Sequence, residues 1–187
     1  MSVPKLLDIT RLGNPTLRAQ CSEIDPSEIV GGHVQSLILD MQYTLAQKEL
    51  GVGLAAPQVG ESIMLSVIGI KPTPTRPELV PFNTVLINPS IIKTHGTARP
   101  KWEGCVSCGT GDDILYAQVP RYDAVTLRWL DEAAVQHEER LDGFVAHVVQ
   151  HEVDHLNGIL FVDHVEDTAS YMLADEYKRR IVHADKP

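Results

Sequence analysis

Apolar residues recur at Val34, Leu37, Ile38, Met41 and Leu45, the three-and-four spacing that turns one side of a helix toward a core. Asp25 can cap such a helix and Pro26 suits its first position, so the pattern predicts a helix over about 26–49. The stretch "GVGLAAPQVG" (51–60) interrupts it with glycine and proline. β-Branched runs follow at 62–70, "SIMLSVIGI", and at 84–92, "TVLINPSII", separated by an exposed loop, "KPTPTRPELVP". A third group of strands is expected in "ILYAQVP" (114–120), "AVTLRWLD" (124–131) and "VQHEERLD" (135–142), after the loop "EGCVSCGTGDD". Helical spacing resumes near Gly143 and stops at Asn157–Gly158, a C-terminal signal. A last helix is expected over about 166–183. Helix, strands, helix, helix is an α+β order.

Composition adds bounds. A chain of 187 residues with 43% hydrophobic and 22% charged residues is expected to form one domain, 1–187, around one core. A formal net charge of −9 argues against sequence-independent DNA binding. The start, "MSVPKLLDIT", lacks a basic region followed by an apolar run, and no stretch approaches 18 apolar residues, so neither export nor a membrane is expected. Three cysteines, Cys21, Cys105 and Cys108, do not suggest a disulfide framework, which fits a reducing cytoplasm.

The chemistry concentrates in "HVVQHEVDHLNG" (147–158). On a helix, His147, His151 and His155 stack on one face. His151 and His155 can share a metal, with Glu152 beside them as a base for water. His147 lies two turns from His155, about 12 Å of rise, so all three cannot hold one ion. Either the 147/151 or the 151/155 pair binds, and Glu152 favours the second. A third ligand is required. Glu166 and Glu176 downstream and Cys105 upstream are the candidates.

The segments "GVGLAAPQ" (51–58), "EGCVS" (103–107) and "QHEVDHLNG" (150–158) occur in that order and resemble the three motifs of the peptide deformylase family. "GNPTLR", "VPRYDAVTL" and "GILF" extend the resemblance over most of the chain. It implies a deformylase-like α+β fold, with antiparallel or mixed sheets around a central metal-binding helix. The implied activity is hydrolysis of the formyl group from the initiator methionine of nascent polypeptides, releasing formate. It also implies one divalent ion on Cys105, His151 and His155, Fe²⁺ physiologically, with Zn²⁺, Ni²⁺ or Co²⁺ able to substitute.

Under the same resemblance Glu152 carries protons, and Gln58 through its side-chain amide and Val106 through its backbone N–H face the oxyanion. Gly53 hydrogen-bonds a peptide bound as an added strand. Val52, Phe144, His147 and Val148 line the methionine pocket, so His147 is a wall and not a ligand. Arg121 and Asp154 form a buried pair behind the helix, with Glu103 a candidate third member. Lys178, Arg179 and Arg180 offer a ribosomal contact on the C-terminal helix, against a plain solvated helix end. Two departures stand out: the segment after Cys105 is about four residues longer than the family's, and it carries Asp112 and Asp113 without the arginine often found there. The rival readings are an HExxH zinc endopeptidase and a non-catalytic metal-binding module.

Overall fold

The computed structural model describes residues 3–48, 51–73 and 76–183. Its first helical segment is not continuous. Pro26–Ile29 (α1) is capped by the Asp25 side chain, and a second helix, Gly32–Ala46 (α2), starts beyond Gly31. Two adjacent glycines have the weakest helix preference after proline, and Gly31 sits in extended conformation, which breaks the single helix expected over 26–49. That expectation also ran into residue 49, which lies outside the described residues.

Five strands form one antiparallel sheet: Gly53–Ala55 (β1), Leu65–Ile70 (β2), Phe82–His95 (β3), Ala124–Leu130 (β6) and Gln136–Asp142 (β7), in the order β1-β2-β3-β6-β7. Three more form a second: Arg99–Gly104 (β4), Leu115–Arg121 (β5) and Met172–Leu173 (β8), in the order β4-β5-β8. Every pairing between these strands is antiparallel, and one isolated parallel bridge joins Ser22 to Ile63.

The central strands are apolar on both faces because both faces are covered. Leu65, Val67, Val85 and Ile87 point into the core shared with α2, whereas Ile68, Ile70 and Leu86 point into the core shared with Gly143–Leu156 (α3). α3 buries Ala146, Val149 and Val153 there, as its spacing predicts. Gly143 at φ +60° makes the turn from β7 into α3 that a side chain would strain.

Two elements differ from expectation. β4 was unforeseen: "RPKWEG" holds a proline and two cations and is only partly buried, so it shows no alternation, yet it pairs with β5 from Arg99↔Arg121 to Gly104↔Tyr116. The expected helix over 166–183 is four separate pieces. Asp167 caps a short turn at Thr168–Ser170, Met172 and Leu173 pair with Tyr116 and Leu115, and helix begins only at Ala174–Tyr177 (α4), continuing as a wider turn through Lys178–Val182. The free edge of β5 captured residues that local preference assigns to a helix.

Candidate active site and metal centre

α3 carries His151 and His155 on the side turned away from its apolar core, and β4 delivers Cys105 opposite them. Cys105 Sγ lies 3.3 Å from His155 Nε2, which lies 3.2 Å from His151 Nε2. All three donor atoms fall within 4.8 Å of one another. Tetrahedral ligation, with metal–sulfur near 2.3 Å and metal–nitrogen near 2.0–2.1 Å, needs edges of about 3.3–3.6 Å, so the donor set fits one ion. His147 is not among these donors.

Electrostatics already favour ligation. The Cys108 thiol hydrogen-bonds to Cys105, and together with His155 and His151 this outweighs burial and holds the Cys105 thiol well below its usual pKa. Burial opposes charge on His151, but Cys105 and Glu103 prevail and keep its pKa well above the usual range. His155 Nδ1 is buried without a partner among the described residues, so its Nε2 contacts are the ring's polar anchors.

Behind the donors sits Glu103, which the sequence marked only as a possible companion of Arg121. It is the hub of the site. Its Oε1 accepts from Arg121 Nε at 2.7 Å and meets His147 Nε2 at 2.7 Å, and its Oε2 meets His151 Nδ1 at 2.8 Å. Burial works against the Glu103 carboxylate, yet His147, His151 and Arg121 hold its pKa well below normal. Arg121 Nη1 reaches Asp154 Oδ2 at 2.6 Å, and His164 Nε2 shares that oxygen at 2.9 Å. Carboxylates behind metal-binding imidazoles fix ring orientation and raise ligand basicity.

Glu152 is buried, and burial raises its carboxyl pKa. Its Oε2 lies 3.1 Å from Ser66 Oγ, which lies 3.1 Å from the Leu54 carbonyl, so one hydroxyl proton serves one of the two at a time. Gly53 lies against Glu152: a Cβ there would stand 2.3 Å from Glu152 Oε1. Gln58, in the turn Ala56–Val59 after β1, accepts from the Ala55 N–H at 2.8 Å and donates through Nε2 to Cys105 Sγ at 3.4 Å and Ser107 Oγ at 3.2 Å. Its amide protons are thus engaged, and reaching an oxyanion requires giving one up. Val106 opens a short helical turn, where leading N–H groups lack an internal partner. Its carbonyl accepts from Arg11 Nη1 at 2.8 Å.

The expected pocket residues are gathered, though not freely exposed. Val52 and Phe144 pack on the α3 cluster that contains buried Val148, and the His147 ring stands edge-on to Phe144, 6.0 Å between centroids. Ser66, Ser107, His164 and Arg11 were not picked out from the sequence. None carries a spacing that marks it, because each acts through contacts with residues outside its own segment.

A sequence model described as "Polypeptide deformylase" matches residues 6–170. The chain belongs to the polypeptide deformylase family. It is 36% identical over 186 residues to peptide deformylase 2 of Nostoc sp., covering 98% of this chain and 99% of that one. With the peptide deformylase of Leptospira biflexa it shares 38% over 172 residues, 90% of each chain. Among solved structures it resembles the Met-Ala-Ser-bound class I type b peptide deformylase of Acinetobacter baumannii, with a TM-score of 0.79 and 32% identity over 88% of this chain and 100% of that one. The actinonin complex of the Synechococcus elongatus peptide deformylase gives 0.74 and 34%, over 96% and 90%. The α+β fold and the enzyme class read from the motifs are those of the family: a metal-site hydrolase that removes the formyl group from the initiator methionine of polypeptides. These matches give no support to an endopeptidase or a non-catalytic metal module.

Proposed function

We propose that Cys105, His151 and His155 hold one divalent ion and that Glu152 moves the proton in deformylation, with the whole chain 1–187 as one catalytic unit. The convergence of a thiolate and two imidazoles within 4.8 Å, beside a buried glutamate on the same helix, carries this reading. A divalent ion in such a site supplies Lewis acidity and lowers the pKa of water toward neutrality. Glu152, made more basic by burial, accepts a proton from water and delivers it to the leaving amine. The Val106 N–H, with Gln58 once it releases a present partner, faces the oxyanion, a contribution of about 3–4 kcal/mol for one donor in other hydrolases.

Among the described residues β1 pairs only with β2, so its other edge is open to an added strand near Gly53. Val52, Phe144, His147 and Val148 form the methionine pocket. Thiolate-and-imidazole ligation accepts Fe²⁺, Zn²⁺, Ni²⁺ or Co²⁺, and Fe²⁺ is the ion the family resemblance favours. Formylated nascent chains are the substrates, and the cytoplasm is where they emerge. A ribosomal contact at 178–180 draws less support: Lys178 pairs with Asp112 and Arg179 with Glu176, leaving Arg180 without an ion pair among the described residues.

Anaerobically prepared protein, its metal content measured, is offered formyl-Met-Ala-Ser and the unformylated peptide. Formate from the first alone is expected, together with Glu152→Ala protein that keeps its metal and releases none. Internal peptide cleavage, or full turnover per metal in Glu152→Ala, refutes the assignment.

A further inference from the structure

Beyond Val106 lies charge that the hydrolytic groups do not use. Two adjoining cavities, about 500 Å³ and about 140 Å³, share Lys48, Val106, Gly111 and Ile114 as walls. The larger adds Asp112 and Lys178, and the smaller adds Arg11. Three cations therefore face one carboxylate, in a protein whose formal net charge is −9. Asp112 is already committed, its Oδ1 lying 2.9 Å from Lys178 Nζ. Arg11 donates from Nη1 to the carbonyls of Val106 at 2.8 Å and Gly109 at 2.7 Å, which fixes the loop wall without neutralising the guanidinium. Neither Arg11 nor Lys48 forms an ion pair with a carboxylate of the described residues.

Position gives this charge a use. Val106 follows the ligand Cys105 directly and borders both cavities, so a peptide leaving the metal centre along Val106 enters a space of the size ligand sites commonly have, about 300–1,000 Å³. The Acinetobacter relative was solved with Met-Ala-Ser, a peptide that continues past methionine. Resting on the deformylase reading, we propose that these cavities receive the residues after formyl-methionine and select acidic side chains there, with Lys48 the specificity-determining cation. Lys178, restrained by Asp112, is a reserve charge. Asp112 keeps the preference from being stronger.

A cation and a carboxylate meeting at a partly open site favour association by up to about 5-fold, and salt weakens this. The test uses the metal-loaded enzyme and three amidated peptides: formyl-Met-Ala-Glu-Glu, formyl-Met-Ala-Gln-Gln and formyl-Met-Ala-Lys-Lys. Formate release gives kcat/KM at low salt, where the screening length is about 30 Å, and at physiological salt, where it is about 8 Å. The acidic-to-neutral ratio is expected above about 3 at low salt, carried by KM, and to shrink as salt is added. Lys48→Glu inverts the ratio, Lys48→Gln brings it near unity, and Asp112→Asn, by releasing Lys178, raises it. A ratio of one or less in the unaltered enzyme at low salt overturns the selection and leaves deformylation standing, as does a ratio that Lys48→Glu does not move. Absence of formate from all three peptides overturns the deformylase reading and this inference with it.

Discussion

Gly53→Ala isolates how Glu152 is held. The added methyl lies 2.3 Å from Glu152 Oε1, 2.7 Å from Cδ and 2.9 Å from Cγ. Favourable contact begins near 3.5 Å, so three atoms at the end of the Glu152 side chain, two of them in its carboxyl group, are overlapped by roughly 1 Å. Neither side yields easily. Glu152 is buried and tied to Ser66, and Gly53 is fixed by its pairing with Ile68. Overpacking of this kind costs about 1–3 kcal/mol, which for a chain of this length lowers the melting temperature by roughly 2–12 °C. A displacement of about 1 Å in a group that transfers protons costs about 100-fold in rate. With formyl-Met-Ala-Ser, kcat should therefore fall about 100-fold, with KM changed by less than about 3-fold and metal content near one per chain. Formate release, metal analysis and a thermal melt read these three quantities. If KM rises while kcat is kept, Gly53 serves the approach of the peptide and not the placement of Glu152. An unchanged kcat and melting temperature refute the packing argument outright.

Glu103→Ala removes the shared carboxylate partner of Arg121, His147 and His151 and leaves Arg121 buried with Asp154 as its one ion-pair partner among the described residues, so a loss of about 3–5 kcal/mol by denaturant unfolding is expected. Metal affinity of that variant, measured by chelator competition, should fall about 10- to 100-fold because His151 loses its orienting partner. His147→Ala should keep its metal, since Glu103 still holds His151 and Arg121, and should raise KM for methionine-headed substrates; loss of metal instead would mean that the wrong histidine pair was chosen. Burial pushes the Cys21 thiol up to about 11. Iodoacetamide at pH 8 should therefore spare Cys21 in the native protein and modify it once unfolded, as read by peptide mass mapping. Because the folded state retains that proton longer than the unfolded one, Cys21 lowers stability as pH rises from about 9 toward 11 and has no such effect below that window.

Local signals fixed much of this protein. α3, its start and stop and the shared face of His151 and His155 follow from spacing within one helix, and the order of three short motifs already pointed to the family. β2 and β3 follow from β-branched runs and β5, β6 and β7 from the strand-like segments after the loop, while the 12 Å argument kept His147 and His155 from sharing one ion without any coordinates and left Glu152 to favour the 151/155 pair. Pairing and convergence were not written locally. β4 has no alternation to read, yet it carries Glu103 and sets Cys105 in place; residues 172 and 173 became a strand because β5 had an edge to fill. From the residues alone the third ligand stayed open among Cys105, Glu166 and Glu176, and the tertiary structure brings Cys105, 50 residues from His155, to 3.3 Å. Glu103 as the common partner of His147, His151 and Arg121, and Gly53 as the space Glu152 occupies, likewise exist only once sheet and helix are packed. Periodicity and capping act over a turn or a strand pair, whereas a site is made where segments far apart in sequence are pressed together, and that depends on how the faces bury.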